Sequence, residues 1–275
     1  MKIICKQIAV KTGGCFLYNY IVKRNEVAYL DYDENELVLE DVDLATFEIL
    51  EDKTLTESDL EELRGKYNRY ALGKSRWVAK DKNNVWTKEV KIPGADPETF
   101  EFFLGGQCMW GQDKNGGYCL YSEGKNRIKN ITLNGSLQFF KEDRLGAYMR
   151  MYAYDNKYVY YYGRRCKGSR SDDCRYLVEE SVHVDVLSGV KYDDRYCIAS
   201  NGIVFYRGRV LPEADAATAR SFSIDEPGRG SLYITLDKNT IYYGGKPFTS
   251  EINPAMYKRI PSVLFELQES LKHGK

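Results

Sequence analysis

Histidine is almost missing from this chain, with only His183 and His273 among 275 residues. His183 and Asp185 alternate on one predicted strand, but no motif ties a serine or cysteine nucleophile to them, so His183 reads as a structural or surface residue. The seven cysteines (Cys5, Cys15, Cys108, Cys119, Cys166, Cys174 and Cys197) are odd in number and contain no C-x-x-C pair. That pattern excludes a zinc motif and reads as reduced thiols in a cytoplasm. No apolar run approaches membrane-spanning length, and the apolar start is too short for a signal peptide, so the expectation is a cytoplasmic protein with no membrane contact. No G-x-S-x-G elbow occurs. Gly73–Ser75 ends like a phosphate loop, but Asn68 stands where the first glycine belongs and the stretch follows a predicted helix. Formal net charge is zero, which removes any bulk attraction to nucleic acid. No catalytic, cofactor-binding or metal residues are predicted.

What the chain does have is one short stretch, restated. It is clearest as DKNNVW from Asp81 to Trp86 and DKNTIYY from Asp237 to Tyr243. It returns as DKNGGYCLY from Asp113 and DNKYVYYYG from Asp155, and more loosely as SNGIVFYRG from Ser200 and DENELVL from Asp33. Each copy places a short polar side chain first, turn formers next, and then a β-branched or aromatic run. A carboxylate or hydroxyl there accepts backbone hydrogen bonds from two residues on, and the Asn or Gly that follows suits a left-handed turn position, so each copy predicts a tight hairpin. DKNGG from Asp113 also resembles a calcium loop, but its twelfth position is Gly124 instead of a bidentate Glu, and turn chemistry explains it better.

A second signature trails the first. In ADPETFEFF, Asp96 is a cap, Pro97 a first helical residue and Phe100 an inward one, which predicts a single helical turn. VDLATFEIL from Val42, ADAATARSF from Ala214 and NPAMYKRI from Asn253 repeat it. The offset from hairpin to cap is 15 residues from Asp81 to Asp96, 15 from Ser200 to Asp215, 16 from Asp237 to Asn253 and 10 from Asp33 to Asp43.

This pairing resembles the DKNYY family, over roughly Tyr29 to Tyr257. The resemblance implies a repeat fold and a hint of function, since several members look like immunity proteins that protect a bacterium from toxins. It implies no catalytic residues.

The expected fold is mainly β: a single repeat-built domain over residues 1–275, made of about six imperfect hairpin-plus-helical-turn units in an open propeller-like or solenoid arrangement. The best-preserved repeats span 75–250, and their hairpins start 32, 42, 45 and 37 residues apart. In 56–74, Leu60, Leu63, Tyr67 and Tyr70 mark one helical face, with acids early and bases late, so an inserted helix is expected there. Leu264, Leu267 and Leu271 predict a helical cap over 251–275.

The zero net charge hides an asymmetry. From Asp31 to Glu62 there are 14 acidic residues against the single Lys53. One reading is a solvated face. The sharper one is a surface that occupies the basic groove of a nuclease and steers association. On that reading Asp31, Asp33, Glu34, Glu36, Glu40 and Asp41 form the partner-binding surface, with Tyr29 and Tyr32 as anchors. Phe47 also lies among these acids but repeats the inward position of Phe100. The expected function is an immunity protein that covers the active cleft of a toxin, without itself binding nucleic acid. The alternative is a non-enzymatic repeat scaffold that binds another protein or a glycan.

Overall fold

The computed structural model of the chain describes residues 20–31, 33, 35–52, 74–103, 108–121, 128–140, 151–177, 190–191, 196–226 and 230–248. Two compact units divide the chain, Met1–Ala153 and Tyr154–Lys275.

The described strands of the first unit form three antiparallel sheets. The first has the order β1 (Tyr20–Val22), β2 (Val27–Leu30), β3 (Glu36–Val38). The second runs β4 (Glu48–Glu51), β5 (Lys74–Lys80), β6 (Val85–Thr87), β7 (Val90–Lys91), and the third β8 (Glu101–Phe103), β9 (Cys108–Asp113), β10 (Gly116–Tyr121), β11 (Ile128–Ile131). Further along, β12 (Tyr152–Tyr154), β13 (Val159–Tyr161) and β14 (Arg164–Arg165) make a fourth sheet. The fifth joins β15 (Arg175–Tyr176), β17 (Cys197–Ser200), β18 (Ile203–Tyr206) and β19 (Arg209–Val210). The sixth joins β16 (Val190–Lys191), β20 (Arg220–Glu226), β21 (Gly230–Leu236), β22 (Ile241–Tyr243) and β23 (Lys246–Pro247).

The β-branched and aromatic runs follow from burial on both sheet faces. Successive residues of a strand point to opposite faces, so a run such as Val85–Trp86 supplies one residue to each side. Val78 and Val85 pack with Ile92, Phe100, Phe102, Met109 and Leu120. Their neighbours Ala79 and Trp86, which are cross-strand partners, pack on the other side with Tyr20, Val27, Tyr29 and Leu39. Small Ala79 opposite large Trp86 is what lets the indole lie fully buried. In the second unit Cys197, Ala199 and Val204 meet Leu177, Leu211 and Tyr242 in the same manner.

No α-helix occurs among the described residues. The inserted helix expected at 56–74 lies outside them except for Lys74, which opens β5, and the helix expected over 251–275 lies outside them altogether. The expected helical turns are single turns, closed by Thr46 N–H to Asp43 O at 3.1 Å and Thr218 N–H to Asp215 O at 3.2 Å. No helix among the described residues is long and apolar enough to cross a membrane.

Candidate functional site

The repeated aspartates are hydrogen-bonding centres for the chain's own backbone. Asp81 Oδ1 accepts the N–H groups of Asn83 and Asn84, both at 2.7 Å. Asp155 does the same for Lys157 and Tyr158, and Asp237 for Asn239 and Thr240, all at 2.7 Å. Asp113 takes Asn115 at 2.7 Å and Gly116 at 3.1 Å. The carboxylate fixes these turns as expected, but the left-handed Asn expected beside it is absent from them. Left-handed pairs occur one turn later, at Tyr162–Gly163, Arg207–Gly208 and Gly244–Gly245. Among the hairpin copies, the degraded SNG turn uses one, at Asn201–Gly202 with φ of 52° and 69°. The first copy is also shifted: Asp31, two residues before Asp33, accepts the N–H groups of Asp33 and Asn35.

The second carboxylate oxygen explains the trailing signature. Asp43 N–H donates to Asp81 Oδ2 at 2.6 Å, Asp96 N–H to Asp113 Oδ2 at 2.6 Å, and Asp215 N–H to Asp237 Oδ2 at 2.8 Å. Each cap therefore clasps the hairpin that follows it in the chain. A cap precedes one strand and the hairpin ends the next; because these two strands are antiparallel partners, cap and hairpin meet at the same end of the pair. The lysine after each turn aspartate completes the clasp. Lys82, Lys114 and Lys238 pair with Asp43, Asp96 and Asp215 at 2.5, 2.6 and 2.7 Å. Their backbone N–H groups donate to the hydroxyls of Thr46, Thr99 and Thr218. D-K-N and D-x-x-T are thus one device. The lysine ammonium, as the largest cause, holds each cap carboxyl below the usual carboxylate range, down to about 2 at Asp96.

One clasp is invisible to residue type. Arg170 stands 15 residues after Asp155. Its N–H donates to Ser200 Oγ at 2.7 Å, and Asp173 Oδ2 accepts Asn201 N–H at 2.6 Å. The clasp is kept with its chemistry redistributed: serine replaces the turn aspartate, and aspartate replaces the threonine. Five residues beyond the turn aspartate, Tyr118 and Tyr160 donate to Asp113 and Asp155 at 2.9 and 2.7 Å. Burial first, and the carboxylate second, push both hydroxyls above the ordinary tyrosine range. Trp86 takes this place in the Asp81 copy, and its buried Nε1 has no hydrogen-bond partner among the described residues.

Against this framework the acidic segment separates into parts. Tyr29 is 1% exposed in the core, so it is not an anchor on the surface, and Phe47 packs edge-on against Tyr20. Tyr32 and Glu34 lie outside the described residues. Asp31 is occupied by its turn. Glu36 pairs with Lys23, Asp41 with Lys91 at 2.7 Å, and Glu48 with Lys80 at 3.5 Å, so cations from other segments neutralise these three acids of the run. Asp33 and Glu40 are exposed, as are Glu36 and Asp41. These four bracket β3, an edge strand whose Val38 is 53% exposed. The acids and Val38 form one mixed edge. Val38 was not singled out in the sequence because an alternating strand does not reveal which strand ends a sheet. Among the described residues no cluster of three or more His, Cys, Asp or Glu is placed to hold a metal.

Comparison with known proteins agrees with the repeat. The DKNYY family model matches residues 20–246, and the chain belongs to that family. No curated protein and no solved structure matches it.

Proposed function

We propose that this DKNYY-family protein works by binding and not by catalysis, as an immunity protein that neutralises a toxin of the cell by covering its active cleft. The observation that supports this reading most is the employment of the recurrent carboxylates: each described turn aspartate is committed to backbone N–H groups, and each cap aspartate to a lysine. The repeats build a frame, and function then falls to the surfaces that differ between repeats. In the first unit the distinctive surface is the β3 edge, where Asp33, Glu36, Glu40 and Asp41 surround exposed Val38. An apolar centre in a charged rim is the composition of a protein interface, and acids there suit a basic groove such as a nuclease presents to phosphates.

The test is recovery of a stoichiometric partner from the native host, followed by growth assays. Expression of that partner alone should arrest growth, and co-expression of this chain should restore it. A Val38→Asp, Glu40→Lys, Asp41→Lys variant should lose the rescue. A stoichiometric partner that is harmless when expressed alone would move the protein to the scaffold reading.

A further inference from the structure

The last strand of each sheet in the second unit is a two-residue edge, and its cations recur in register. Tyr161 faces Arg164, Tyr206 faces Arg209 and Tyr243 faces Lys246, each pair flanking a left-handed turn. Both residues of β14, β19 and β23 are exposed, and Val210 beside Arg209 is 48% exposed. The rungs are stacked. A Cβ on Gly208 would lie 2.6 Å from Tyr161 Cβ, and one on Gly245 would lie 2.5 Å from Tyr206 Cδ1, so each turn sits directly on the tyrosine of the preceding sheet. Arg165 and Arg207 add guanidinium groups over the rings of Tyr158 and Tyr196, both at 4.3 Å. Among the described residues no carboxylate forms an ion pair with Arg164, Arg209 or Lys246, whereas the clasp lysines are all paired.

We propose that this ladder of Arg164, Arg209 and Lys246, backed by tyrosines, is a docking surface for an extended acidic segment of a partner protein. Guanidinium forks match carboxylates in a bidentate manner, and Arg with Tyr is the pairing enriched at interface hot spots. Nucleic acid fits less well. The chain is neutral, with a pI near 6.8, and glycine turns already cover Tyr161 and Tyr206, which removes ring faces on which bases would stack. The ladder shares no residue with the β3 edge, and its test requires no toxin, so either idea can fail alone.

The experiment is fluorescence anisotropy on the full chain at 50 and 150 mM salt (about 14 and 8 Å of screening length), with a labelled Glu/Asp-rich 15-residue peptide as probe and a labelled thymidine 15-mer as competitor class. The peptide should bind, more weakly at the higher salt. Arg164→Gln, Arg209→Gln, Lys246→Gln should weaken it ~10-fold, the sum of three modest exposed contacts. If that variant self-associates in gel filtration, Arg164→Lys with Arg209→Lys keeps the edges charged and should still weaken binding about threefold, through loss of the forks. Three results overturn the proposal: no peptide binding at the lower salt, binding unchanged in these variants, or tighter binding of the thymidine oligomer. The first two would leave the cations as guards that keep the edges from pairing.

Discussion

Removing the Asp81 carboxylate tests the clasp most directly. Asp81 is 3% exposed and receives three backbone N–H groups, from Asn83, Asn84 and Asp43, at 2.7, 2.7 and 2.6 Å. A hydrogen bond to a charged acceptor contributes about 1.5–3 kcal/mol net, and water can reach some of the freed donors. Asp81→Ala should therefore destabilise the first unit by ~3–5 kcal/mol, a large share of the stability of a domain this size. Asp81→Asn separates the two roles. Its oxygen can still serve the turn, but its amide would meet the Asp43 N–H donor to donor, so about 2 kcal/mol should be lost. The assay is urea unfolding followed by tryptophan emission, which is selective because Trp77, Trp86 and Trp110 all belong to the first unit. A loss under about 1 kcal/mol in the alanine variant would refute the clasp as a stabilising element. Equal losses in both variants would place the whole effect in the contact with Asp43.

Three further outcomes follow from the same geometry. Folding lowers the pKa of Asp96 from 3.8 to about 2, so unfolded chains take up the proton first; its contribution is complete above about pH 4 and disappears as pH falls through 2, and Lys114→Met should shift acid unfolding upward in pH. Gly245→Ala meets both a φ of +79° and Tyr206 Cδ1 at 2.5 Å, whereas Gly244→Ala meets only a φ of +57° with open space around it. Thermal unfolding should show the former as the more damaging, by ~1–3 kcal/mol, and equal effects would show that the turn and Tyr206 are not packed. Burial pushes the Cys166 thiol up to about 12. In peptide mapping after brief native alkylation, half-buried Cys174 should be modified and buried Cys119, Cys166 and Cys197 protected.

The hairpins were legible in the sequence because turn chemistry is local: Asp81, Asp113, Asp155 and Asp237 all start the turns expected of them. The caps at Asp43, Asp96 and Asp215 were legible for the same reason, each accepting an N–H two or three residues on. The pairing of cap with hairpin was not. The 15-residue spacing, kept from Asp81 to Asp96 and from Ser200 to Asp215, measures the distance from one hairpin to the next sheet's cap, while the bonded partner of a cap lies across a strand pair, 38 residues away for Asp43 and Asp81. Arg170 was missed because it clasps with its backbone alone, although its spacing from Asp155 was there to be counted. Charge pairing was hidden in the same way. Within the run, Glu36, Asp43 and Asp41 are paired in space with Lys23, Lys82 and Lys91, which the chain supplies from elsewhere.

The clasp joins the start of one strand to the end of the next, and the connection between those strands leaves by the opposite end of the sheet. That connection covers residues 104–107 in one sheet and 227–229 in another, yet it expands to 52–73 in a third, where the bond from Asp43 to Asp81 is as short as the one from Asp96 to Asp113. Each doubling of such a connection costs only about 0.6 kcal/mol of closure entropy. The fold thus carries sockets: connections of very different length are served by the same latched hairpin on the far side. Grafting a foreign peptide at 227–229 should therefore leave the bond from Asp215 to Asp237 on the far side in place.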